Sequence, residues 1–100
     1  MKKYLKTSER REQILALACE AATAGHFRQV SRAEIAEKAG TATGNINRVF
    51  GTMDQLRSDL IAYAIKHEKL VVIAQAILDK HPGVEGLDDD LRLAAFSSLL

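Results

Sequence analysis

Cysteine, proline and tryptophan are almost missing from this chain, which has one Cys, one Pro and no Trp in 100 residues. The lone thiol, Cys19, has no partner for an intrachain disulfide, which fits a reducing cytoplasm. Its expected role is that of a small buried hydrophobe. Aromatics are scarce as well, three Phe and two Tyr against 47% hydrophobic residues overall, a composition that favours an all-helical globule over a sheet protein. Long apolar runs are absent. The longest, Leu70–Leu78, is interrupted by Gln75 and is too short to span a bilayer. No signal peptide is legible, because no apolar run follows Met1-Lys2-Lys3 before charge returns at Lys6, Glu9 and Arg10. The expectation is a cytoplasmic protein with no membrane partner.

Chemistry-bearing motifs are equally sparse. His26, His67 and His81 are too dispersed for a local metal motif, and Cys19 adds no second ligand. Gly40 and Gly44 lack the downstream Lys-Ser/Thr of a phosphate-cradling loop, and no GxSxG motif or catalytic carboxylate pair stands out. Asp88, Asp89 and Asp90 read as a helix start, where carboxylates offset the positive helix end. No cofactor, metal or enzymatic activity is expected.

What is present is a charge asymmetry and one well-punctuated stretch. The net charge of +1 conceals +4 over residues 1–53 and −3 over residues 54–100. Within the basic half, residues 31–56 read SRAEIAEKAGTATGNINRVFGTMDQL. Ser31 is a favourable N-cap, Ile35, Ala36 and Ala39 share a helical face, and Gly40 suits a left-handed helix end. Thr41 or Thr43 is expected to cap the next helix. There Ile46, Val49 and Phe50 face inward and Asn45, Asn47 and Arg48 outward. Two short helices about a glycine turn, with amide and guanidinium groups on the second, follow the plan of a helix-turn-helix. The second helix of such a unit enters the DNA major groove.

The segment AGTATGNINRVFGTMDQL resembles the motif of the TetR-type repressors, AGVSKGTLYHHFKSKEEL. Ala39, Gly40, Gly44, Phe50 and Leu56 match it, with Ile46 for leucine, Thr52 for serine and Asp54 for glutamate. Upstream, Ser31 and Ile35-Ala36 match the capped start of the family's second helix. Arg11, Ile14, Leu15, Ala18, Ala21, Gly25 and Phe27 resemble its first helix and bend. The likeness covers about residues 8 to 65. Two of the family's phosphate anchors are replaced, its tyrosine by Asn47 and the lysine of its fourth helix by Met53. The resemblance implies an all-α, TetR-like three-helix DNA-binding region over 1–53, followed by a helical dimerisation region over 54–100, in one compact domain. Because the family continues for about another hundred residues that hold its ligand pocket, no small-molecule inducer is expected. A chain this compact resembles regulators carried by plasmids or phages.

On this reading Thr43, Gly44, Asn45, Asn47 and Arg48 approach the bases of double-stranded DNA. Asn pairs bidentately with adenine and Arg with guanine. Arg32, Lys38, Arg28 and a basic arm of Lys2, Lys3 and Lys6 hold phosphates, with Arg28 equally readable as a solvated charge. His26, in the bend after the first helix, is expected to be a capping or surface residue, and Phe27 and Val30 to plug the core.

Thr52 and Gln55 suggest a capping box, after which apolar positions recur at three-to-four spacing to Leu78. One helix of about 25 residues, roughly 38 Å long, is expected to run on to Lys80 and stop at His81-Pro82-Gly83. Its second half and the final segment DDDLRLAAFSSLL are apolar on several sides. Such helices must be buried. Leu70, Ile73, Ile77, Leu91, Phe96, Leu99 and Leu100 are therefore expected at a homodimer interface. The alternatives are that both helices fold back on the first three as a monomeric core, or that they grip another protein, as an antitoxin or assembly factor does.

Overall fold

The computed structural model describes residues 7–100, and these form six α-helices with no strand among them. The expected arm of Lys2, Lys3 and Lys6 lies outside the described residues. Helix α1 spans Thr7–Ala24 and buries Ile14, Leu15, Ala18, Cys19, Ala21 and Ala22. Four of those six are Ala or Cys, small residues that let neighbouring helices approach closely. The chain then bends through a 3-10 turn at Phe27–Gln29, whose first free N–H, on Arg28, donates to the His26 Nδ1 at 3.1 Å. Phe27 is fully buried at this corner and Val30 nearly so.

Helix α2 spans Arg32–Ala39, and its cap is the expected one: Ser31 Oγ accepts from the Glu34 N–H at 3.2 Å. Gly40 ends it at φ 66°, which lets the Thr41 N–H reach back to the Ala36 carbonyl at 2.9 Å. Helix α3, Thr43–Phe50, starts differently from expectation. Its N-cap is Ala42, which has no side-chain acceptor, and neither Thr41 nor Thr43 caps it. Thr43 already lies inside the helix, and the Thr41 hydroxyl instead accepts from the Asn45 amide at 2.6 Å. Ile46 and Phe50 are buried and Val49 half-buried, seating α3 on α1 and α4.

Helix α4, Met53–Lys66, begins at Thr52, whose hydroxyl accepts from the Gln55 N–H at 3.1 Å. The reciprocal half of the capping box is missing, because the Gln55 amide donates forward to Asp59 at 3.0 Å. Leu56, Leu60, Ile61 and Ala64 form the buried stripe of α4.

The single long helix expected to run on to Lys80 is two helices. α4 stops at Lys66, Glu68 takes a left-handed φ of 52°, and α5 starts anew at Leu70 and runs to Leu78. The Lys69 N–H closes on the Ala64 carbonyl at 2.8 Å, the backbone pattern of a left-handed helix end. Glycine ordinarily occupies that position, because a Cβ there costs roughly 1–2 kcal/mol. The break allows α5 to pack against α1 and α4. Five consecutive residues, Val72, Ile73, Ala74, Gln75 and Ala76, are buried. Ile73 is therefore an intrachain core residue and not part of a dimer interface, and Leu70 and Ile77 pack half-buried against the same core. Burying Ile73 in this way stabilises the fold by about 1.5–3 kcal/mol.

Gln75 breaks the apolar run for a structural reason. Its Oε1 accepts from the Phe27 N–H at 3.0 Å, while its Nε2 donates to the Ala22 carbonyl at 2.9 Å and the Gly25 carbonyl at 3.2 Å. One buried amide thus serves the polar backbone where α1 ends and the bend begins.

A second 3-10 turn at Pro82–Val84 follows, capped by His81 Nδ1, which accepts from the Gly83 N–H at 2.9 Å. Val84 is buried, and the His81 ring meets the Phe27 ring edge-on with centroids 5.9 Å apart. Helix α6, Asp89–Ser97, carries Asp89 and Asp90 in its first turn. It packs on α5 through fully buried Ala95 and half-buried Leu91. No helix among the described residues is long and apolar enough to cross a membrane.

Candidate nucleic-acid interface

The outer face of α3 follows from which of its residues the core claims. Ile46 and Phe50, four apart, point inward with Val49 beside them, so Thr43, Gly44, Asn47 and Arg48 are left exposed. Four of the five residues expected at the bases therefore share one open face. Asn45 does not join them fully. It is half-buried, and its amide nitrogen is committed to Thr41. Gly44 has no atom within 4 Å of where a Cβ would stand, so the backbone there is open to close approach from outside.

The cations expected at phosphates divide into two kinds. Arg28 is bound to Asp79 at the end of α5, with Nε 2.7 Å from the carboxylate. That hydrogen bond raises the guanidinium pKa and holds the Asp79 carboxyl below its ordinary range. Arg28 also lies over the Phe27 ring, 5.2 Å from its centroid, so it ties the bend to α5 instead of standing free. Lys38 sits 3.8 Å from Glu34 across one turn of α2, both side chains well exposed, an arrangement worth little in water. Arg32, half-buried at the start of α2, has no carboxylate partner among the described residues, and neither has Arg48.

A residue that sequence reasoning did not place joins this surface. The groove between the first turns of α1 and the outer side of α3, about 270 Å³, is lined by Thr7, Arg10, Asn45, Arg48 and Val49. Arg10 enters it because its neighbour Arg11 is held to the other side. Arg11 is 3.2 Å from Asp59 of α4 and 5.6 Å from the Phe50 ring centroid. One helical step of about 100° then turns Arg10 away from that pair. The sequence signal was the doublet Arg10-Arg11, which carries no information about which arginine the core engages.

Cys19 is buried, and burial pushes its thiol pKa up, the environment of an unreactive cysteine. Tyr63, whose hydroxyl pKa is likewise raised by burial, packs against His67 with the rings tilted at 41° and their centroids 4.2 Å apart. No cluster of three or more His, Cys, Asp or Glu with metal-binding geometry occurs among the described residues. No protein-family model matches this chain, and it has no match among curated proteins or solved structures.

Proposed function

We propose that this protein is a sequence-reading DNA-binding regulator of the TetR type, a repressor that acts by occupying a promoter and blocking polymerase. The observation that carries the reading is the exposed quartet Thr43, Gly44, Asn47 and Arg48 on a short helix held behind a glycine turn. As a helix-turn-helix, α2 crosses the DNA backbone and α3 enters the major groove, where Asn47 and Arg48 present the donors that suit adenine and guanine. The protein acts on a palindromic operator as a homodimer. Leu93 and Phe96, three apart on the open side of α6, supply the apolar contact, with Leu99 and Leu100 just beyond the helix end.

The test is a binding titration on the DNA immediately upstream of the gene, with a scrambled duplex as control and two salt concentrations. Tight, salt-sensitive binding that falls to the scrambled-duplex level in the Asn47→Ala/Arg48→Ala variant supports a sequence-reading autoregulator. Equal, weak binding to both duplexes that ignores the variant counts against it.

The same α6 stripe favours one second reading. Leu93 is 65% exposed and Leu99 48%, so a helix-turn-helix scaffold whose last helix grips a different protein uses the same surface. Light scattering separates the two, since a particle of twice the chain mass is required by the first and not by the second.

A further inference from the structure

The groove between α1 and α3 differs in charge from other clefts of the molecule. The cleft beside Cys19 includes Glu20 with Lys69, and the one between α1 and α4 sets Glu12 and Asp59 against Arg11 and Lys66. The cleft between α5 and α6 carries Glu68, Asp88 and Asp90. The α1–α3 groove is lined by two guanidinium groups, a hydroxyl and an amide, with no carboxylate. Neither Arg10 nor Arg48 has an acidic partner within 4 Å among the described residues. Among the described residues Arg10 donates only to the Gln13 side chain, at 3.1 Å, which leaves most of its five N–H donors unclaimed there.

We propose that Arg10, with Thr7 and the flank of Arg48, forms a phosphate clamp that holds the DNA backbone beside the strand edge read by α3. This rests on the DNA-binding reading above and adds to it a backbone anchor on α1. It also accounts for how α3 docks with Asn47 and Met53 at the positions where the resembled family places its tyrosine and lysine anchors. A planar guanidinium matches phosphate bidentately, which a lysine cannot do. Arg48 sits at the boundary, exposed on the α3 face and lining the groove, so the clamp and the reading surface are continuous. Arg10 is a positioning residue: it fixes register and carries no sequence information.

Each phosphate contact contributes about 0.9 to the slope of log affinity against log salt. A contact with no effect at 1 M salt is therefore worth about 8-fold in affinity at 0.1 M. The experiment uses the full chain and the tightest duplex recovered from a randomised pool, together with a scrambled version of that duplex. Arg10→Ala, Arg10→Lys and the distant control Lys80→Gln are titrated at several salt concentrations, after circular dichroism confirms unchanged helix content. The expected result is that Arg10→Ala weakens binding to both duplexes by the same factor, about 8-fold at 0.1 M salt, and lowers the salt slope by about one. The preference for the selected duplex stays intact, Arg10→Lys recovers the slope without the full affinity, and Lys80→Gln changes neither. Parent affinity and slope in Arg10→Ala, with the selected duplex still preferred, overturns the clamp and leaves the DNA-binding reading standing. So does a loss confined to the selected duplex, which assigns Arg10 to a base. A parent protein that enriches no duplex from the pool overturns the reading and the clamp together.

Discussion

Removing the buried amide of Gln75 isolates what one polar side chain contributes to this helical core. In Gln75→Leu the Phe27 N–H loses its acceptor, and Phe27 is fully buried, so water has poor access to it. An orphaned buried donor of this kind costs about 1–3 kcal/mol. The Ala22 carbonyl keeps a second partner, the Gly25 N–H at 3.2 Å, and the Gly25 carbonyl lies where solvent reaches, so these two losses are smaller. Leucine returns part of the deficit through apolar burial, which roughly offsets the two smaller losses and leaves a net loss of about 1–3 kcal/mol. For a domain of this size that lowers Tm by about 5–20 °C. The assay is urea unfolding followed by circular dichroism, where the midpoint falls and the slope m is unchanged. Gln75→Glu sharpens the test, because a carboxylate oxygen then faces the Ala22 and Gly25 carbonyls in place of the donating nitrogen. Its folded pKa is raised above the unfolded value of about 4.3, so this variant loses stability as pH rises through that value and recovers part of it in acid. A Gln75→Leu protein as stable as the parent refutes the account, and so does a Gln75→Glu protein whose deficit is the same at pH 4 and pH 7.

Glu68→Gly relieves the left-handed backbone at φ 52° and is expected to stabilise the fold by about 0.5–1 kcal/mol, while Glu68→Val destabilises it; the same urea titration ranks the three proteins. The Arg28–Asp79 pair depresses the carboxyl pKa, so its contribution is complete above the unfolded value of about 3.9 and disappears as pH falls through the folded value. Asp79→Asn should therefore be less stable than the parent at pH 7 and low salt, with the gap closing both in acid and at high salt. Leu93→Glu/Phe96→Glu places charge on the open stripe of α6, and sedimentation equilibrium should show a dimeric parent and a monomeric variant of unchanged helix content. A parent already monomeric at tens of micromolar refutes the dimer.

The parts of the fold legible in the sequence are those where local chemistry and the core agree. Ser31 and Gly40 delimit α2, and Ile46 and Phe50 orient α3, because a side-chain acceptor, a left-handed residue and helical spacing are local properties. The break at Glu68 was illegible for the opposite reason. Apolar residues recur across it at helical spacing, and glutamate is an ordinary helix former, so only tertiary packing selects its left-handed backbone. The same holds for side-chain choices between equivalent partners. Thr41 serves Asn45 instead of capping α3, Gln55 serves Asp59 instead of Thr52, and Arg11 instead of Arg10 is drawn to Asp59. The exposed quartet on α3 was legible, and the Arg10 groove was not, because the latter depends on how α1 is rotated against α3.

The division at residue 53 between a basic and an acidic half describes charge and not packing. The core is continuous from Ile14 to Ala95, and α5 supplies its centre. Gln75 holds the end of α1 to the bend, Asp79 holds Arg28, and the His81 ring abuts Phe27, so three residues from the acidic half fix the corner from which α2 departs. The seat of α3 rests on α1, α2 and α4, and two of those are positioned through α5. Turning α5 inward also moves the apolar surface that a partner can cover. Ile73 is consumed by the monomer, whereas Leu93 and Phe96 remain open on α6, which reaches the rest of the fold chiefly through α5. A partner on α6, whether a second copy or another protein, therefore meets the helices that seat α3 by way of α5.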